Sequence, residues 1–74
     1  MERWFDVREV GNTYALARTG QHLSQSEVAR RTGMGQAAIS RFENGRGNVT
    51  VSNLDRLAEG MGLKLEVRLV PRWA

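Results

Sequence analysis

Apolar residues recur along this chain with two different periods, and the change of period divides it. Val7, Val10, Tyr14 and Ala17 fall at three- and four-residue steps, the spacing of one face of a helix. Val28 and Ala29, then Ile39 and Phe42, mark two shorter segments, and Leu54, Leu57, Ala58 and Met61 mark a fourth helical stripe. Beyond Gly62 the period drops to two. Leu63, Leu65, Val67 and Leu69 alternate with Lys64, Glu66 and Arg68, a strand pattern that Pro71 ends because proline has no N–H for a ladder. The pattern predicts a mostly α chain of four helices followed by one C-terminal β-strand.

Polar residues at the segment ends sharpen these boundaries. Asp6 followed by Glu9 has capping-box spacing and starts the first helix at Val7; Gly20 to His22 ends it, with His22 as a cap or plain surface residue. Ser24 with Glu27 is a second capping box, with Leu23 before it as a hydrophobic staple, so the second helix starts at Gln25. A third helix runs from about Gln36 to Asn44, and a fourth begins after Thr50 or Ser52 and ends at Gly60 and Gly62. Two short helices joined at Gly33-Met34-Gly35 need a small residue where they cross and a residue tolerant of positive φ where they turn. Ala29 meets the first demand and Gly33 the second. The chain then divides into a lead-in at 1–6, a helical domain at 7–62, a dimerisation strand at 63–70 and a tail at 71–74.

A lone strand cannot satisfy its own backbone. Antiparallel pairing with the same strand of a second subunit supplies the missing bonds and buries Leu65, Val67 and Leu69 of both chains; pairing with residues 3–7 of its own chain is the alternative. Trp4 and Phe5 are expected to cover an edge of the core or of the dimer, and Trp73 to anchor a partner or pack on the dimer.

Seventy-four residues make one small domain, able to bury only about 60% of the surface its unfolded chain exposes. Without cysteine, and with a single histidine, it has neither a disulfide framework nor a metal-ligand set, so no cofactor or metal is expected. No histidine–acid pair or phosphate-binding glycine loop is present, which argues against an enzyme. With no long apolar run or signal-peptide pattern, the expectation is a soluble cytoplasmic protein with no membrane partner. The net charge is +3, and ten of the eleven basic residues are arginine. That fits a phosphate-binding surface, and an arginine-rich genome composition accounts for it equally well.

The run LSQSEVA from Leu23 to Ala29, the run AISRFENG from Ala38 to Gly45 and the distance between them resemble the helix-turn-helix of lambda-repressor-like (Xre-type) DNA-binding domains. The resemblance extends from Val10 to Leu63. It implies double-stranded DNA as the partner, with the third helix entering a major groove by its N-terminus. Gly35, Gln36, Ala37, Ser40 and Arg41 are then the base-contacting candidates: Gln36 suits adenine, Ala37 a thymine methyl, and Arg41 guanine or a phosphate. Gly35 departs from the Ser or Thr common near this point in the family, which weakens the cap. Gln25, Arg18, Asn44 and Arg46 are the phosphate-contacting candidates, although at Arg18 a brace of the fold is the favoured reading. Glu43 is expected to pair with Arg46 or a neighbouring arginine, and Arg30 and Arg31 to be solvated or near phosphate. The implied function is a homodimeric repressor on an inverted-repeat operator. A C-terminal strand after four helices is also similar to HipB-like and HigA-like antitoxins, which implies a toxin protein as a second kind of partner.

Overall fold

The computed structural model describes residues 7–73 and contains four helices: α1 (Val7–Gly20), α2 (Gln25–Thr32), α3 (Gln36–Glu43) and α4 (Val51–Gly60). The expected capping box at Asp6, the aromatics Trp4 and Phe5, and the alternative strand at residues 3–7 involve residues outside the described range. The described starts follow the caps. Ser24 Oγ accepts the Glu27 amide at 3.0 Å, and Thr50, not Ser52, caps α4 by accepting the Asn53 amide at 3.1 Å. Each hydroxyl satisfies an amide that no carbonyl inside its helix can reach. At Ser24 the box is half made, because the Glu27 carboxylate turns to Arg30 and Arg31.

The helix ends are built from left-handed residues. Gly33, at φ 75°, sends its amide back to the Ala29 carbonyl at 2.9 Å and turns the chain toward α3. The end of α1 is a Schellman motif. The Leu23 amide returns to Arg18 O at 3.1 Å and the His22 amide to Thr19 O at 2.9 Å, with His22 itself at φ 60°. The same bonding pattern closes α4, where Gly62 occupies the equivalent position. His22 is the one non-glycine residue among the described residues with positive φ.

Val28, Ile39, Phe42, Leu54, Leu57 and Met61 form the buried core, with Val10, Tyr14, Ala17, Leu23 and Ala29 packed against it. Each fully buried aliphatic side chain contributes about 1.5–3 kcal/mol relative to exposure. Tyr14 meets the Phe42 ring edge-to-face with centroids 5.3 Å apart, and its hydroxyl donates to Leu54 O at 2.9 Å. One hydroxyl thereby ties α1 to α4 across the top of the core. Burial, then the nearby Asp55 charge, pushes the tyrosine pKa up.

Helices α1 and α3 approach closely at Gly11. A Cβ there would overlap the Phe42 carbonyl oxygen and crowd the Glu43 backbone, so α1 and α3 meet backbone to backbone. Ala29, the small residue expected where α2 crosses α3, packs against the core.

Residues 63–70 carry no regular secondary structure, so the predicted strand is not formed within the chain. The reason is the one that required a partner: among the described residues no other segment supplies a ladder. Leu65 packs partly on its own core, while Val67 and Leu69 are 67% and 99% exposed.

Candidate nucleic-acid interface

The outer face of the helix-turn-helix is assembled from residues whose neighbours face inward. Ile39 and Phe42 fix one side of α3 in the core, so Gln36, Ala37, Ala38 and Arg41 emerge on the other side, with Ser40 half-buried between. Gly35 stands at the N-cap in extended geometry and makes no side-chain cap bond, as the missing Ser or Thr predicts. The first amides of α3 therefore have no side-chain lid. Across the turn, Ser26 Oγ lies 3.0 Å from Gln36 Oε1, so α2 holds the first side chain of α3 in place. Thr32 steadies the turn by donating to Val28 O at 2.8 Å and accepting the Met34 amide at 3.2 Å.

Beneath this face lies an ion-pair network that sequence spacing did not resolve. Arg18 Nε donates to Glu43 Oε2 at 2.7 Å and Nη2 to Oε1 at 2.9 Å, a bidentate pair between α1 and α3. A third donor of Arg18 reaches Leu23 O at 2.7 Å, and Gln25 Nε2 donates to Glu43 Oε1 at 2.9 Å. The Arg18 and Glu43 side chains are only 14% and 7% exposed. Burial pushes the Glu43 carboxyl up, but the hydrogen bonds from Arg18 and Gln25 and the Arg18 charge outweigh it and hold the pKa below the ordinary carboxylate value. The hydrogen bond to Glu43 raises the Arg18 pKa in turn. One carboxylate thus joins α1, α2 and α3.

This geometry bears on several expectations. The Arg18 guanidinium is engaged by Glu43 and Leu23, which agrees with the bracing role. Glu43 pairs with Arg18 and not Arg46. Gln25 is half-buried with one amide hydrogen given to Glu43, which leaves its second amide hydrogen and the uncapped first-turn amides of α2 as donors. Arg30 is solvated as expected, its side chain 75% exposed while it pairs with Glu27; Arg31, also exposed, pairs with Glu27 and donates to Gly60 O at 3.2 Å. Asn44 Nδ2 caps Ser40 O at 2.8 Å and keeps its second hydrogen as a donor, while the backbone amides of Asn44, Gly45 and Arg46 return to carbonyls of α3. Arg46 and Arg41 are exposed and share, with Ala38, Gly47 and Asn48, a recess of about 130 Å³ at the end of α3.

No group of three or more His, Cys, Asp or Glu that could hold a metal ion occurs among the described residues, and no described helix is long and apolar enough to cross a membrane.

The family comparison agrees with this construction. The Helix-turn-helix model HTH_3 matches residues 15–67. An uncharacterised HTH-type transcriptional regulator, y4dJ, of Sinorhizobium fredii is 41% identical over 59 residues, covering 78% of this chain and 77% of that protein. The antitoxin HipB of Escherichia coli K12 is 28% identical over 64 residues, covering 86% of this chain and 73% of HipB. Among solved structures, a HipA-HipB-O2-O3 complex contains a chain with TM-score 0.76 and 25% identity, aligned over 96% of this chain and 100% of that one. With α2, the Gly33 turn and α3 inside the matched span, the chain belongs to the helix-turn-helix family HTH_3, which includes HTH-type transcriptional regulators.

Proposed function

We propose that this protein is a sequence-specific DNA-binding transcriptional repressor that acts as a homodimer on an inverted-repeat operator. The observation that carries the reading is the exposed start of α3: Gln36, steadied by Ser26, and Ala37 face solvent on a helix held by Glu43 and Phe42. A rigid helix end with a glutamine, small neighbours and a following arginine is what direct readout in a major groove needs. Gln36 is the principal base reader, with Gly35, Ala37, Ser40 and Arg41 lining the same face; Gln25, Asn44 and Arg46 are the backbone-facing positions. Pairing of residues 63–70 between two subunits sets two α3 helices about 34–36 Å apart, or a multiple of that.

The test is binding of the full chain to its own upstream DNA against a scrambled duplex, across a salt series. If each subunit neutralises about five phosphates, log K falls against log salt with a slope near roughly −9. Gln36→Ala lowers discrimination, and Arg46→Ala weakens both duplexes alike. Equal losses on both duplexes for Gln36→Ala count against direct readout.

Similarity to the antitoxin HipB over most of the chain favours a second reading, in which the protein also binds and neutralises a co-encoded toxin protein. Copurification of a defined complex with the product of the adjacent gene tests it, and a chain that isolates alone when both are co-expressed counts against it.

A further inference from the structure

We infer the register in which two copies of this chain pair through residues 63–70: an antiparallel ribbon whose twofold axis passes beside Val67, so that Val67 faces Val67 of the partner subunit. The inference rests on the homodimer proposed above. It begins from the face rule. Opposed residues of an antiparallel pair point to the same side, so a twofold axis between residues would put Leu65 and Val67 of the two strands on opposite faces. The axis must therefore pass beside a residue.

Charge then removes half of the remaining registers. Centring on Glu66 sets Glu66 against itself and Lys64 against Arg68 twice; centring on Arg68 sets Arg68 against itself. Like charges directly opposite are destabilising. Centring on Leu65 or Val67 opposes charges correctly, Lys64 to Glu66 in the first and Glu66 to Arg68 in the second. These two differ in length. The Leu65 register pairs only 63–67, because Gly62 sits in the left-handed turn that closes α4. The Val67 register pairs 64–70 and stops where Pro71 has no N–H to give.

Burial points the same way. The apolar row leaves its own domain progressively: Leu65 is half-buried, Val67 is 67% exposed and Leu69 is 99% exposed. In the Val67 register each Leu69 lies opposite Leu65 of the partner subunit. Leu65 borders an open groove of about 580 Å³, lined by Val10, Tyr14, Val51 and Leu54. The most exposed apolar side chain of each copy is thereby brought beside a mostly apolar groove of the other, which Glu9 and the segment's own Val67 also line. In the Leu65 register, Leu69 would extend past the end of the partner strand and remain in water.

The chain has no cysteine, so single replacements report the register directly. Facing residues have Cα atoms about 4.5–5.5 Å apart, inside disulfide range, whereas two Leu65 residues in the Val67 register are separated by about 13 Å along the strands. Under mild oxidation, Val67→Cys should cross-link to itself at least about tenfold faster than Leu65→Cys, and Leu65→Cys should cross-link to Leu69→Cys when the two are mixed. Arg68→Glu and Glu66→Arg should each weaken self-association and restore it as a mixed dimer. Rapid self-cross-linking of Leu65→Cys, with Arg68→Glu associating normally, overturns the register and leaves the dimer standing. A wild-type chain that is monomeric by native mass spectrometry overturns the dimer itself, and a dimer in which none of these cysteines cross-links overturns the ribbon.

Discussion

The helical domain and the segment after Gly62 treat apolar residues in opposite ways. Between Val10 and Met61 the apolar stripes converge on one core, and no buried side-chain polar atom among the described residues lacks a hydrogen-bond partner. After Gly62 an equally regular apolar row runs out into solvent, with Leu69, Val70 and Trp73 at 99%, 66% and 89% exposure. The first pattern is complete within one chain. The second is complete only when something is added, so a strong pattern that its own chain leaves unused is information about assembly.

Substitutions can break that contrast in graded steps. Gly11→Ala should be the most damaging, because its methyl group meets the Phe42 carbonyl and only a shift of α1 against α3 relieves it; a loss of about 3 kcal/mol or more is expected by chemical denaturation. Recovery to within measurement error of wild type would show that the two helices slide freely.

Glu43→Gln should follow, at about 2–3 kcal/mol near neutral pH, since it leaves Arg18 buried with its charge uncompensated. The pH dependence has a definite sign. A carboxyl whose folded pKa is depressed adds stability above its unfolded value near about 4.3, and that stability is lost as pH falls through the folded pKa. The wild type should therefore lose stability on acidification below about pH 4.5, and Glu43→Gln should show a shallower loss over the same range. Parallel acid profiles for the two would place the titration elsewhere.

A smaller change runs the other way. His22→Gly should stabilise by about 1 kcal/mol, because glycine occupies the left-handed position of the Schellman turn without a Cβ penalty. For a domain of this size that is roughly 4–8 °C in Tm. The smallest effect on the fold sharpens the comparison most. Leu69→Ser should change the stability of the monomer by less than about 0.5 kcal/mol, yet lower the concentration dependence of Tm, because that residue is 99% exposed in one chain and would meet a second copy in the proposed dimer. A concentration-independent Tm in both proteins would separate the tail from assembly.

What could be read in the sequence follows the same division. Helix starts were legible because capping is local: Ser24 with Glu27 and Thr50 with Asn53 lie within one turn. The helix-turn-helix was legible from Ala29, Gly33 and the spacing to Ile39 and Phe42. The partner of Glu43 was not, because Arg18 is 25 residues away and Arg46 only three, and nearness in sequence favoured the wrong arginine. The backbone approach at Gly11 escaped for a related reason, since a glycine inside an amphipathic helix reads as a gap until its neighbour is known. Asn44 was read as a phosphate-contacting candidate, and its bond to Ser40 O in the last turn of α3 was not legible from spacing.

The contact between Ser26 and Gln36 has a consequence in conformational entropy. A free glutamine side chain on a helix surface samples many rotamers, and fixing it costs up to about 2 kcal/mol at the moment it is used. Here the hydroxyl of Ser26 restrains Gln36 Oε1 before any partner arrives, so much of that ordering is completed when the protein folds. The amide NH₂ of the same exposed side chain remains a donor of two hydrogens.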